Sequence, residues 1–216
     1  MRAIPVVQST SSYLRAWTRE EHEAVEAALD MQELRTSAEL VAVLLGWAAV
    51  WNEVRLAVVE PGAAAAGTAE LLMPSAQARD WLAADLADLA ATAGTASAHG
   101  ATPEDARMLR RFLDRASTTW GVAYVLRGSR LGGRVLAPLV RDALQLSGDG
   151  GTQFLASRGT DPGREWVFFR RRLDAVELTA TELTEAVEAA RWTFRWVGAA
   201  TRPDGSRAVP AGRVSM

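Results

Sequence analysis

Residues 126–140, LRGSRLGGRVLAPLV, combine helical spacing of apolar residues with three glycines, at positions 128, 132 and 133. Glycine inside a helix costs about 1 kcal/mol relative to alanine, so this choice needs a reason. Gly128 and Gly132 lie four residues apart and therefore share one helix face, which Gly133 flanks. Such a face permits a kink, which Pro138 would reinforce, or the close approach of a neighbouring helix or a flat ligand.

Helical periodicity also dominates the sequence on both sides of this segment. No stretch shows the alternation and turn signals that are typical of strands. The sequence therefore predicts an all-α, single-domain helical bundle over residues 1–200, with a disordered Pro/Gly-rich tail over 201–216. The predicted helices cover 11–34, 37–59, 74–94, 101–128, the glycine segment to about Leu146, 161–176 and 179–200.

Composition and charge exclude several classes of function. A net charge of −2 gives no overall attraction to nucleic acid, and all 24 basic residues are arginine. The chain has no cysteine, so it forms no disulfide and carries no thiolate nucleophile. We find no convincing signal peptide and no apolar run long enough to span a bilayer, which favours a cytoplasmic protein that binds no membrane.

One of the two histidines, His22, has neighbours that suit a bound haem. Glu26 follows it by one helical turn and can orient one ring nitrogen, leaving the other as a metal ligand. Arg15 and Arg19 lie two turns and one turn before it, where they could meet anionic groups such as haem propionates. Taken alone, a histidine among glutamates on a surface helix is more often an ordinary structural feature than a ligand.

Two stretches together resemble the haem oxygenase family in its bacterial branch. The segment LRAWTREEHEAVE is similar to the family's proximal helix, so His22 would be the axial iron ligand and Glu26 its support. The G-S-x-L-G-G sequence at Gly128, Gly132 and Gly133 is similar to the family's distal helix, which would be kinked and lie close over the haem. The resemblance runs from about residue 13 to about residue 198.

The resemblance implies roles for further residues. Arg170 matches a basic residue that contacts a propionate, Phe194 matches an aromatic that lines the haem pocket, and Arg15 and Arg19 match basic positions that face propionates. Arg171 and Arg172 adjoin Arg170 and could take its place. Animal members carry an aspartate that organises water for proton delivery where this chain has Ser129, as bacterial relatives do.

The implied activity is oxidative cleavage of haem to biliverdin, iron and carbon monoxide. Haem would be both substrate and cofactor, and dioxygen the oxidant. The electron donor would be external, a ferredoxin or a flavin reductase, because the sequence has no glycine loop for flavin or nicotinamide. The protein would act as a monomer or weak dimer.

Three alternatives remain open from the sequence. The first is a haem-binding or carrier protein of the same fold without turnover. The second is a helical interaction domain in which His22 is incidental and the glycines serve a tight helix crossing. The third, an enzyme of the thiaminase-like group, usually needs a catalytic cysteine, which this chain lacks.

Overall fold

The structure, a computed structural model, describes residues 9–28, 34–59, 69–72, 76–90 and 101–202. Every regular element within these ranges is a helix, which confirms the predicted all-α fold. In chain order the helices are α1 Thr10–Trp17, α2 Arg19–Ala28, α3 Ser37–Val59, α4 Ala69–Leu72, α5 Ala76–Ala90, α6 Pro103–Leu113, α7 Ala116–Leu144, α8 Gln153–Ala156, α9 Pro162–Asp174 and α10 Ala180–Ala200.

Helix α10 is the central packing element of the bundle. It lies along α7 and also contacts α1, α2 and α3. Two glycines allow these close approaches: a Cβ on Gly121 of α7 would lie 2.1 Å from the Ala186 carbonyl oxygen, and one on Gly46 of α3 would lie 2.0 Å from that of Ala200. Because no side chain fits in these gaps, the two glycines fix how closely α7 and α3 pack on α10.

Side-chain caps define several helix starts. Thr102 and Asp105 form a reciprocal capping box at α6, where Pro103 occupies the first turn. Thr179 and Glu182 form the same arrangement at α10. These caps satisfy backbone N–H groups that a helix N-terminus otherwise leaves without partners.

Two predicted helices are each broken in the structure. The helix predicted over 11–34 divides at Thr18, whose hydroxyl donates to the Leu14 carbonyl oxygen at 2.8 Å. The helix predicted over 101–128 divides at Asp114 and Arg115, and the hydroxyl of Thr119 donates to the Arg115 carbonyl oxygen at 2.8 Å. In both places the backbone N–H of the threonine still bonds to the same carbonyl oxygen, at 3.0 Å, so the hydroxyl adds a hydrogen bond and does not replace one. Each break is a local change of backbone conformation, which periodicity does not detect.

We predicted that no apolar stretch is long enough to span a membrane. Judged by length and composition alone, this prediction was wrong. Residues Ser37–Val58 of α3 form a helix long and apolar enough to do so, and 56% of its most apolar window is buried inside the protein. Leu40, Leu44 and Val54 of this helix have no exposed surface. Packing within the bundle therefore accounts for the apolar character of α3.

The remaining fold predictions vary in outcome. Helix α7 continues unbroken through Gly128, Gly132, Gly133 and Pro138 to Leu144, close to the predicted end, whereas the kink in it stays a prediction. The short helix α8 was not predicted. The predicted disordered tail, from residue 203 onward, and the second histidine, His99, lie outside the described residues.

Candidate functional site

His22 lies on the exposed side of α2, with 54% of its side chain accessible. Its Nδ1 atom is 3.4 Å from Oε2 of Glu26, one turn further along the helix. This contact engages one ring nitrogen and leaves Nε2 as the nitrogen that can bind a metal. The four-residue spacing thus produces the pair that the sequence suggested.

Phe194 of α10 supports the imidazole from the protein interior. The two ring centroids are 5.5 Å apart and the planes meet at 79°, an edge-to-face contact. Only 8% of Phe194 is exposed. The structure therefore places Phe194 against His22 itself, which restricts the ring orientation of the histidine.

The three glycines of the motif on α7 have different surroundings. A Cβ on Gly128 would be 3.6 Å from Trp166 of α9, an ordinary contact, while one on Gly132 would have nothing within 4 Å. A Cβ on Gly133 would lie 2.8 Å from the Leu155 carbonyl oxygen of α8. Gly133 therefore serves a close helix crossing, the structural alternative raised for the motif, and its backbone packs on α8 at this point rather than on a ligand.

Ser129 is half-buried, and its hydroxyl is committed to its own helix. Its Oγ donates to the Leu126 carbonyl oxygen at 2.9 Å. That hydrogen bond uses the only proton of the hydroxyl, so the side chain can only accept a further hydrogen bond. Ser129 thus offers no free donor toward a ligand in this conformation.

Tyr124 is a site residue that the sequence analysis missed. It lies one turn before Gly128 on α7, and its ring is 5.3 Å from that of Trp166. Burial raises the pKa of its phenol, whereas Arg15 of α1 and Arg170 of α9 act on it in the opposite direction. Two of the arginines predicted to meet propionates therefore converge on one tyrosine.

The candidate arginines differ in their surroundings. Arg15 and Arg170 both act on the pKa of the Tyr124 phenol, which is consistent with the predicted role of Arg170. Arg19 lies 3.8 Å from Glu23 on the same helix, and 77% of its side chain is exposed. Arg19 is therefore in a solvent-exposed ion pair.

Arg130, the variable residue of the glycine motif, ties α7 to α9. Its guanidinium forms an ion pair with Glu165 and donates to Thr160 Oγ1 at 3.0 Å. Only 14% of the Arg130 side chain is exposed. This contact fixes the distal helix against the helix that carries Arg170, and no local sequence signal marks the pairing.

The donor set fits a haem better than an isolated metal ion. Among the residues that the structure describes, no group of three or more histidine, aspartate and glutamate side chains could hold a metal ion. A haem iron requires only one protein nitrogen, because the macrocycle supplies the others. Nε2 of His22, the open space at Gly132 and the guanidiniums near Tyr124 match the iron, ring and propionates of that group.

An open cavity of about 440 Å³ lies elsewhere, at the start of α9. Its lining residues include no histidine and none of the predicted site residues; they are Thr160, Asp161, Arg164, Glu165 and Phe168. This cavity therefore offers no axial ligand for a haem, and the glycine face of α7 remains the candidate binding surface.

Comparisons with known proteins identify the family and the fold of this chain. The family model described as "Heme oxygenase" matches residues 8–200. A comparison with curated protein sequences finds no match.

Several solved structures share the fold. The haem oxygenase of Leptospira interrogans has a TM-score of 0.59 at 18% identity, covering 88% of this chain and 97% of that one. Haem oxygenase-1 of the cyanobacterium Synechocystis, in complex with haem, has a TM-score of 0.65 at 16% identity, covering 88% and 89%. The NO- and CO-bound haem oxygenase of Neisseria meningitidis has a TM-score of 0.58 at 18% identity, covering 97% and 100%. The chain therefore belongs to the haem oxygenase family, a family of haem-degrading enzymes.

Proposed function

We propose that this protein cleaves haem to biliverdin, releasing iron and carbon monoxide. Dioxygen is the oxidant and an external donor, a ferredoxin or a flavin reductase, supplies the electrons. The observation that carries the proposal is the His22–Glu26 pair on an exposed helix face, within a chain that belongs to this family. The catalytic unit is the helical domain of residues 1–200, acting in the cytoplasm as a monomer or weak dimer.

His22 is the proposed proximal ligand. Glu26 lies beside Nδ1, so the neutral imidazole binds iron through Nε2. When bound, haem supplies both the iron that activates dioxygen and the ring that is cleaved. His22 would hold the iron through a neutral nitrogen, which is a weaker electron donor than a thiolate.

Arg15 and Arg170 are the proposed partners of the haem propionates, with Tyr124 between them. Each guanidinium can pair with a carboxylate, and the tyrosine hydroxyl can donate a hydrogen bond to one. The influence of both guanidiniums on the pKa of the same phenol supports a shared role for them. Pairing there sets the in-plane rotation of the haem, and so decides which edge of the ring is attacked.

Gly128 and Gly132 form the proposed distal wall. Because Gly132 has no protein atom within 4 Å of its Cβ position, a flat ring can approach the helix backbone there. Ser129 can accept a hydrogen bond from a water molecule while its own proton stays on the Leu126 carbonyl oxygen. In this proposal Ser129 therefore helps to order water as an acceptor.

Titration with haemin followed by reductant and air tests the proposal. We expect a Soret band on titration, then its replacement by the absorbance of a biliverdin, with carbon monoxide evolved. His22→Ala should lose the ligated spectrum, whereas His22→Ala with added imidazole should recover it in part. A haem spectrum that persists under reductant and oxygen would identify a carrier, and failure to form any Soret band would identify an interaction domain.

A further inference from the structure

The junction between α1 and α2 sets the direction of the helix that carries His22. Thr18 ends α1 with φ −111° and ψ 9°, and α2 begins at Arg19. Only 2% of Thr18 is exposed, and its hydroxyl donates to the Leu14 carbonyl oxygen. Because the helix is interrupted one turn before His22, the orientation of the histidine depends on what holds this junction.

Arg191 of α10 binds the junction directly. Its Nε atom donates to the carbonyl oxygen of Trp17, the last residue of α1, at 2.9 Å. The last carbonyls of a helix lack donors within the helix, so a side chain from another element can satisfy them. The same Nε lies 3.2 Å from Oε1 of Glu21, in the first turn of α2. One guanidinium therefore connects the end of α1 to the beginning of α2.

Loss of this connection would leave the carboxylate of Glu21 with less charge compensation. Only 16% of its side chain is exposed, and Oε1 lies 3.5 Å from Arg195 as well. Its other oxygen, Oε2, is buried and forms no hydrogen bond in the described part of the chain. A carboxylate this buried depends on the paired guanidinium groups for compensation.

The same face of α10 supports α2 beyond the junction. Phe194, three residues after Arg191, packs against the His22 ring. One turn further, a Cβ on Gly198 would lie 2.9 Å from Cγ2 of Val25, so that glycine admits a close contact with α2. Helix α2 thus rests on α10 immediately before, at and after His22.

We propose that Arg191 is a positioning residue for the proximal histidine. By holding the Trp17 carbonyl and the Glu21 carboxylate together, it fixes the angle at which α2 leaves α1. That angle directs Nε2 of His22 toward the iron. The inference rests on the proposed function, because it concerns how the axial ligand is aimed.

The test compares Arg191→Met with the matched variant Arg195→Met in the haem-reconstituted protein. Arg195 shares the ion pair with Glu21 but has no contact with the Trp17 carbonyl. The readouts are haem affinity by titration and the iron–histidine stretching band of the ferrous complex by resonance Raman spectroscopy. For Arg191→Met we expect a shifted or broadened band and a Kd raised about 10-fold, the lower range for loss of a ligand-orienting contact. Arg195→Met should keep both values close to the native ones.

Arg191→Lys keeps the test decisive if the methionine variant does not fold. The ammonium preserves the charge beside Glu21 but lacks the planar fork of the guanidinium, so a smaller band shift in the same direction is expected. Native values of both band and Kd in a folded Arg191 variant would overturn the inference, as would equal effects of Arg195→Met and Arg191→Met. If the native protein binds no haem, the proposed function itself fails, which is a distinct result.

Discussion

Gly132 and Gly133 are adjacent in sequence but face different surroundings in the folded chain. Gly132 has open space at its Cβ position, whereas Gly133 lies against the Leu155 carbonyl oxygen of α8. The missing side chain at Gly132 leaves room for the proposed ligand. The missing side chain at Gly133 allows α7 and α8 to pack closely. A glycine motif can thus combine a binding requirement with a folding requirement within two residues.

Alanine at each position separates these requirements. Without haem, Gly132→Ala should leave the free energy of unfolding unchanged or raise it by up to about 1 kcal/mol, because alanine is the better helix former. Gly133→Ala should lower it by about 1–3 kcal/mol, because its methyl group overpacks the α7–α8 contact. Urea denaturation of the two haem-free variants measures both effects.

Gly132→Ala also tests the proposed distal wall. Gly132→Ala should weaken haem binding or slow haem oxidation, since its methyl group would occupy space proposed for the ring and dioxygen. Haem titration and turnover kinetics measure this effect. Native haem affinity and turnover in Gly132→Ala would remove Gly132 from the distal wall.

Residues related by helical spacing were predictable, and those related by tertiary packing were not. His22 and Glu26 were paired from their four-residue spacing, and the structure places them 3.4 Å apart. Tyr124 could have been noticed one turn before Gly128, but only folding brings Arg15 and Arg170 toward it. Arg191 lies far from Glu21 in sequence, so no local pattern could predict their contact.

At the scale of elements, one carboxylate organises the N-terminus of α3. Oε2 of Glu39 accepts from the backbone N–H of Arg35 at 2.7 Å and of Thr36 at 2.8 Å. These hydrogen bonds lower the pKa of Glu39 below its usual 4.5, and the one from the Arg35 backbone has the largest effect. A lowered pKa in the folded state means that ionised Glu39 stabilises the fold.

Glu39→Gln isolates the contribution of that charge. The native protein should be more stable than the variant by up to about 1 kcal/mol at pH 7, as is usual for a solvent-accessible cap. The difference is fully present above the unfolded-state pKa and should disappear as the pH falls through the lower folded-state pKa, where Glu39 becomes neutral. Urea denaturation of both proteins over a descending pH series measures it. A difference independent of pH would show that the charge is not responsible.

Helix existence was easier to predict than helix continuity. Apolar spacing located α9 and α10, and a continuous apolar stretch located α3, with nearly correct bounds, because burial of their apolar residues dominates the formation of these helices. The breaks are local changes of backbone conformation, at Thr18 (φ −111°, ψ 9°) and at Arg115 (φ −130°, ψ 138°). A change confined to one residue is not resolved by an apolar pattern that extends over a whole helix.

At the scale of the whole molecule, the candidate site draws on helices far apart in sequence. His22 lies on α2, the glycines on α7, Arg15 on α1 and Arg170 on α9. A ligand that contacts several of these helices binds the folded state and not the unfolded chain. Its binding free energy therefore adds to the free energy of unfolding.

Haemin should accordingly stabilise the protein. At a free concentration about 100 times its Kd, haemin should add about 2.7 kcal/mol to the free energy of unfolding. Thermal denaturation with and without haemin measures the effect as a rise in Tm. His22→Ala should lose most of this rise, because the iron ligand is absent. An undiminished rise in His22→Ala would place haemin away from α2.

Because α10 contacts both α2 and α7, the width of the proposed pocket is a property of this one helix. Phe194 meets His22 on one side, while Ala186 meets Gly121 on the other. A larger residue at Ala189, whose Cβ would lie 3.1 Å from a Cβ on Gly121, would displace the distal helix outward, and a smaller one at Phe194 would let the proximal helix move inward. The side-chain volumes on α10 therefore set the distance between the two walls of the proposed pocket, even at positions such as Ala189 that have no proposed contact with the ligand.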